Sequence, residues 1–150
     1  MKKFFILFCS LLLGTVSFAF SLTIDEKLLQ AFKISFPNAE EVNWYESKDA
    51  YVASFKENGV RARAVYKRDG QLRSLVRSYN EENLPYPVQF KVKQDYPDKK
   101  IFGVVELTVT ENNFTATEYH IKMEDEKNWY TVVMDSDGFL TVTERFRKAQ

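Results

Sequence analysis

The chain has 150 residues, 45% of them hydrophobic, with 21 basic and 21 acidic side chains in balance, a single histidine and a single cysteine. The neutral balance argues against a protein that binds nucleic acid or an anionic membrane over its whole surface. One histidine cannot supply a multi-histidine zinc site, and thirteen Phe, eight Tyr and two Trp suit packed β-sheet.

The chain opens with Lys2-Lys3, an apolar run from Phe4 to about Val16, and Ser17-Phe18-Ala19, the pattern of a secretory signal peptide cleaved after Ala19. The apolar run is too short for a spanning helix, so no transmembrane anchor is expected after cleavage. Cleavage also removes Cys9, and Lys2 and Lys3 leave with it, so that 19 basic residues face 21 acidic ones. The mature chain then has no disulfide and no thiolate, and is expected to be periplasmic or secreted.

Thr23-Ile24-Asp25-Glu26 has the form of a capping box, followed by Leu28, Leu29, Phe32 and Phe36 at helical spacing. This predicts a helix over 24–36, ended by Pro37. Strands are expected at 41–46, 50–57, 60–67 and 71–79, divided by Asp, Asn, Gly and Lys clusters. Leu84-Pro85-Tyr86-Pro87 breaks the pattern and opens a second helix at 87–96, with Pro87 in its first turn. Strands at 101–109, 113–122, 127–134 and 139–146 follow.

The second half thus repeats the first. Phe36-Pro37 is answered by Tyr96-Pro97, and Asp69-Gly70 by Asp137-Gly138. The expected organisation is a signal peptide at 1–19, a first α-β4 repeat at 20–82 and a second at 83–150. The fold class is α+β: two tandem helix-plus-four-strand repeats forming one continuous antiparallel sheet, with the helices on one face.

The Asp-Gly hairpins suggest the register. A three-residue loop Arg68-Asp69-Gly70 places Tyr66 opposite Leu72, Ala64 opposite Ser74 and Ala62 opposite Val76, grouping small and apolar residues on one face. The other face then carries Arg61, Arg63, Val65, Arg73, Leu75, Arg77 and Tyr79. The same rule in the second repeat places Trp129, Thr131, Val133, Thr141, Thr143 and Arg145 there. Phe32, Tyr66, Val92 and Met134 are expected in the cores.

With Phe36-Pro37-Asn38-Ala39 ahead of Val42-Asn43-Trp44, and the Asp69-Gly70 hairpin beyond, the chain over about 24–146 resembles the PepSY-like proteins of Bacteroidetes-type envelopes. Those are related in architecture to the β-lactamase inhibitor protein. The resemblance implies a saddle of antiparallel strands with helices on one side; in the inhibitor, an enzyme binds the exposed side. The second copy departs from the motif, with Ile101-Phe102-Gly103-Val104 where the first has the Trp44 neighbourhood. No inhibitory contact residue carries over, because no motif for one matches.

Other candidate chemistry reads as structure. His120 lies in a predicted strand, where an ordinary hydrogen bond accounts for it. Asp135-Ser136-Asp137-Gly138 with Glu144 follows part of a calcium-loop spacing, but Val133 occupies the first ligand position and the flanks are strands, so a hairpin turn is expected. Glu124-Asp125-Glu126 reads as a solvated turn. Neither cofactor nor metal is called for.

Arg61, Arg63, Arg73 and Arg77 beside Tyr79, with Trp129 and Arg145 in the other repeat, form the candidate binding set, since guanidinium forks pair with carboxylates and aromatics supply contact area. Solvated arginines on a plain sheet surface are the competing interpretation. The function expected is a non-catalytic binding module, not an enzyme, that binds or inhibits a protein or peptide of the envelope, a peptidase for instance. The alternative is a small-ligand carrier, or an enzyme using carboxylates alone, with a cavity between helices and sheet.

Overall fold

The computed structural model describes residues 24–112 and 114–149; the signal-peptide segment and the Thr23 position of the capping box lie outside the described residues. Helix α1 (Glu26–Ser35) precedes strands β1 (Ala39–Glu46), β2 (Ala50–Glu57), β3 (Val60–Lys67) and β4 (Leu72–Tyr79). A short 3-10 turn (Glu81–Asn83) leads into α2 (Tyr86–Asp95), then β5 (Lys100–Glu111), β6 (Phe114–Glu124), β7 (Asn128–Met134) and β8 (Leu140–Arg147). The eight strands form one antiparallel sheet in sequence order.

Asp25 caps α1, its Oδ1 accepting the Lys27 N–H at 2.8 Å, so the cap falls within the expected box but at its third residue. Each helix ends at an aromatic residue followed by proline: Phe36 N–H donates to Phe32 O and Tyr96 N–H to Val92 O, both at 2.8 Å. Proline then denies the helix a further turn.

Both helices pack on one side of the sheet. Leu28, Phe32 and Phe36 of the α1 segment cover Ala53, Phe55, Ala62, Ala64, Tyr66 and Leu75. Leu84, Val88 and Val92 cover a second cluster that includes Val104, Ile121, Met123, Val132 and Met134. Alanines on β2 and β3 leave room for the α1 rings: Phe32 lies 5.1 Å from Phe55 and 5.2 Å from Trp44, centroid to centroid, both edge-on.

The two Asp-Gly hairpins close as expected. Gly70 (φ 86°) and Gly138 (φ 83°) occupy the left-handed position that closes a three-residue loop, and Tyr66 pairs with Leu72 as Met134 does with Leu140. One step further the register departs from expectation. β4 inserts an extra residue at Arg73 and β8 one at Thr143, so Val65 pairs with Ser74, Ala64 with Leu75 and Ala62 with Arg77. A bulge of this kind reverses the face of every side chain beyond it. Leu75 therefore enters the core, where open-face exposure was expected, while Ser74 and Val76 turn outward.

Both edge strands are also interrupted. β1 shifts register between Glu40 and Asn43, with Glu41 at φ 52°, and β8 carries the Thr143 bulge. Bulges and charged side chains on an edge oppose strand addition from a neighbouring chain.

Candidate binding face

The side of the sheet that faces away from the helices is built from alternate residues of the strands. One cross-strand row runs Ser54, Arg63, Val76, Leu107, Glu118; the next runs Lys56, Arg61, Ser78, Val105, His120, Val133. Arg61 and Arg63, two residues apart on β3, both project from this face and are exposed. Among the described residues no carboxylate lies within ion-pair distance of either, whereas Arg68 pairs with Glu46, Arg73 with Asp49 and Arg77 with Glu106. Lys56, beside Arg61, is neutralised by Glu41 at 2.6 Å.

Four of the seven expected site residues lie elsewhere. Arg77 and Tyr79 follow the Arg73 bulge and stand on the helix side, where Ala62 pairs with Arg77. Arg145 follows the Thr143 bulge to the same side and pairs with Tyr130, its guanidinium 5.5 Å from that ring. Arg73 occupies the bulge itself, 3.8 Å from Asp49 at the loop end of the sheet. Trp129 does project from the open face. The bulges thus separate the seven candidates into Arg61, Arg63 and Trp129 on the open face, Arg73 at its end, and Arg77, Tyr79 and Arg145 behind it.

Two of the displaced residues, Arg77 and Tyr79, form a polar junction between the two cores. Glu106 accepts from Arg77 Nη1 at 3.1 Å and from the Tyr79 hydroxyl at 2.7 Å, while Arg77 Nη2 lies 3.7 Å from Glu57. Burial, and then the hydrogen bond to the Glu106 carboxylate, push the Tyr79 hydroxyl well above the usual phenol range. These groups are satisfied by one another, which suits a structural role. β4 itself passes from one core to the other, with Leu75 in the first and Tyr79 against the second.

Phe102 was not among the expected residues. It sits at a bulge between Ile101 and Gly103, 42% exposed, with its ring edge-on to Trp129 at 5.0 Å. Lys148 Nζ lies 4.4 Å from the Trp129 ring and pairs with Glu124 at 2.8 Å. Phe146 pairs with Trp129 on β8 and is 61% exposed, so aromatic surface continues to the sheet edge. The signal that could have located Phe102 is the Phe-Gly pair within a strand, because an interior glycine marks a bulge or a close approach.

The remaining titratable groups act locally. His120 Nε2 lies 3.5 Å from Glu118 Oε2 on the open face. Asp125 accepts from the Tyr130 hydroxyl at 2.6 Å, from the N–H groups of Lys127 and Asn128, and from Lys99; these bonds, the Tyr130 one foremost, hold its carboxyl well below the usual range. Asp135 Oδ1 accepts the N–H groups of Asp137 and Phe139, so the calcium-like spacing is used as a hairpin turn.

The eight-stranded antiparallel order, the two helices on one side and the open opposite face can be set against solved structures. A BLIP-like protein from Bacteroides fragilis superposes with a TM-score of 0.62 over 87% of this chain and 92% of that one, at 19% identity. The chain has the BLIP-like fold. DUF2874 family proteins from Bacteroides ovatus and Bacteroides uniformis give TM-scores of 0.58 and 0.57, at 17% and 15% identity, each over 83% of this chain and over 88% and 90% of theirs. No protein-family model matches the chain, and no curated protein matches it in sequence. Among the described residues of this BLIP-like chain, no helix is long and apolar enough to cross a membrane.

Proposed function

We propose that the chain is an exported, non-catalytic binding module that captures a protein or peptide of the cell envelope on its open sheet face. The observation that carries this reading is the pair Arg61 and Arg63: two exposed guanidinium groups on one face, left without carboxylate partners among the described residues in a protein that pairs its neighbouring arginines. Such a pair suits bidentate recognition of carboxylates on a partner. Exposed aromatics at Phe102 and Trp129 add surface of the kind that anchors interfaces. The likeness to a protein described as BLIP-like favours an envelope enzyme, such as a peptidase, as the partner and inhibition as the outcome.

Export rests on the Lys2-Lys3, apolar and Ser17-Phe18-Ala19 pattern. The carrier alternative needs a polar-lined cavity between helices and sheet. The depression between α1 and β1, about 250 Å³, is lined by Leu29, Phe32, Phe36, Val42 and Trp44 with Lys33 as its one charged side chain, which favours the binding module.

The test is capture from envelope extract with the mature protein as bait, beside an Arg61→Ala/Arg63→Ala variant. Folding should remain within about 1 kcal/mol, as for exposed charges. Capture should weaken at least about tenfold, or about 1.4 kcal/mol. Equal capture by both forms would remove the open face as the site.

A further inference from the structure

Two depressions of the open face meet at Arg61 and Ser78. The first, about 550 Å³, includes Asn43, Ser54, Arg63 and Val76; the second, about 620 Å³, continues over Gly103, Val105 and Lys122. Together they make one trough that crosses β2 to β6 obliquely. Its floor is low where Ser78 and Gly103 face outward, and a Cβ built on Gly103 meets nothing within 4 Å. Gly103 adjoins Phe102, so the trough leads from the arginine pair towards the Phe102–Trp129 aromatic pair.

The charges along this path are one-sided at its centre. Lys56 and Glu41 cancel, leaving Arg61, Arg63 and Lys122 beside Ser78, Gly103 and Val105, with Glu82 at the rim. Strand spacing of about 4.8 Å and a rise of about 3.3 Å per residue put Phe102 about 14 Å and Trp129 about 23 Å from Arg61. An extended chain covers those distances in about four to seven residues. Pairing of such a chain onto a sheet edge is opposed by the bulges in β1 and β8, and the trough needs no edge.

We infer that the trough holds an acidic segment of the partner in extended conformation, with carboxylates on Arg61 and Arg63 and an apolar side chain about four to seven residues away against Phe102 and Trp129. This rests on the open face being the binding surface and adds the partner's chemistry, its conformation and its direction across the strands. Guanidinium forks take the carboxylates, the glycine floor admits the backbone, and the aromatic pair excludes water from the apolar anchor.

The probe is a set of fluorescein-labelled synthetic peptides with a Glu-Glu pair and a Phe separated by about one, about five or about ten Gly/Ser residues, read by anisotropy against the mature protein. The middle spacing should bind at least about tenfold more tightly than the others. Arg61→Ala/Arg63→Ala and Trp129→Ala should each remove at least about tenfold of that affinity. Gly103→Leu fills the floor at a position of ordinary backbone φ, and should weaken the middle peptide similarly without altering any charge. Spacing-independent binding, full affinity in Gly103→Leu or Trp129→Ala, or no measurable binding by any peptide overturns the trough inference. Loss of extract capture in the arginine variant alongside any of those results would leave the open face standing, whereas equal capture would remove both. Should Gly103→Leu fail to fold, the Trp129→Ala and spacing results decide.

Discussion

Arg77 on β4 and Glu106 on β5 face one another across the middle of the sheet on its helix side, with Nη1 and Oε1 3.1 Å apart, while the second Arg77 amine turns towards Glu57 on β2. One guanidinium thus joins carboxylates from both halves at the point where neither apolar cluster reaches. Glu106 keeps 14% of its side-chain surface exposed, so loss of its partner strands a largely buried charge.

Arg77→Ala should therefore destabilise the fold by about 1–3 kcal/mol, less than a fully buried pair because Arg77 remains partly solvated. Urea melts give the comparison. The double variant Arg77→Ala/Glu106→Ala should lose less than the sum of the two single changes. A loss below about 0.5 kcal/mol for Arg77→Ala would show that the junction is only a surface pair.

The Tyr66 hydroxyl is a buried side-chain polar atom with no hydrogen-bond partner among the described residues, and burial pushes its ionisation up to about 12. Tyr66→Phe should raise stability by about 1 kcal/mol at neutral pH, since an unpaired buried hydroxyl is removed and the ring remains. The folded-state value is raised, so the Tyr66 contribution is complete below the ordinary phenol pKa near 10 and is lost as pH rises from there through about 12. The Phe variant should lose less stability over that alkaline range. A Phe variant destabilised by more than about 1 kcal/mol would contradict this.

Asp125 behaves in the opposite sense. Its carboxyl is held low by the Tyr130 hydroxyl and by backbone N–H groups, so its contribution is present above the ordinary carboxylate pKa near 3.9 and is lost as pH falls through the folded-state value. Asp125→Asn should be less stable than the parent at neutral pH, with the gap narrowing below about pH 4. A gap that stays constant from neutral pH into acid would show that the hydrogen bonds do not depend on the charge.

How far the sequence could be read is seen at the two hairpins. Gly70 and Gly138 mark their loops because a positive φ favours glycine, and the pairs Tyr66–Leu72 and Met134–Leu140 follow directly. The α1 face was equally legible, since Leu28, Phe32 and Phe36 recur at helical spacing. The bulges at Arg73 and Thr143 carry no such marker. Either residue is ordinary in a strand, and only the apolar spacing of Leu72 and Leu75, three apart where strict alternation requires two or four, betrays the extra residue. The Arg73 bulge moved Arg77 and Tyr79 behind the sheet and the Thr143 bulge moved Arg145, while Arg61, Arg63 and Trp129, on the partner strands β3 and β7, kept their face. Asp25 took the cap because its carboxylate, like a Thr hydroxyl, accepts an N–H bond and lies closer to Glu26.

The most direct measurement is site-specific photo-crosslinking in envelope extract. A photoreactive side chain at Leu107, on the open face in the row of Arg63 and Val76, is set against one at Ile34, which is 82% exposed on α1. The account predicts a discrete crosslinked product from position 107, diminished by Arg61→Ala/Arg63→Ala, and none from position 34. The same product from position 34, or a product from position 107 indifferent to the arginines, would contradict it.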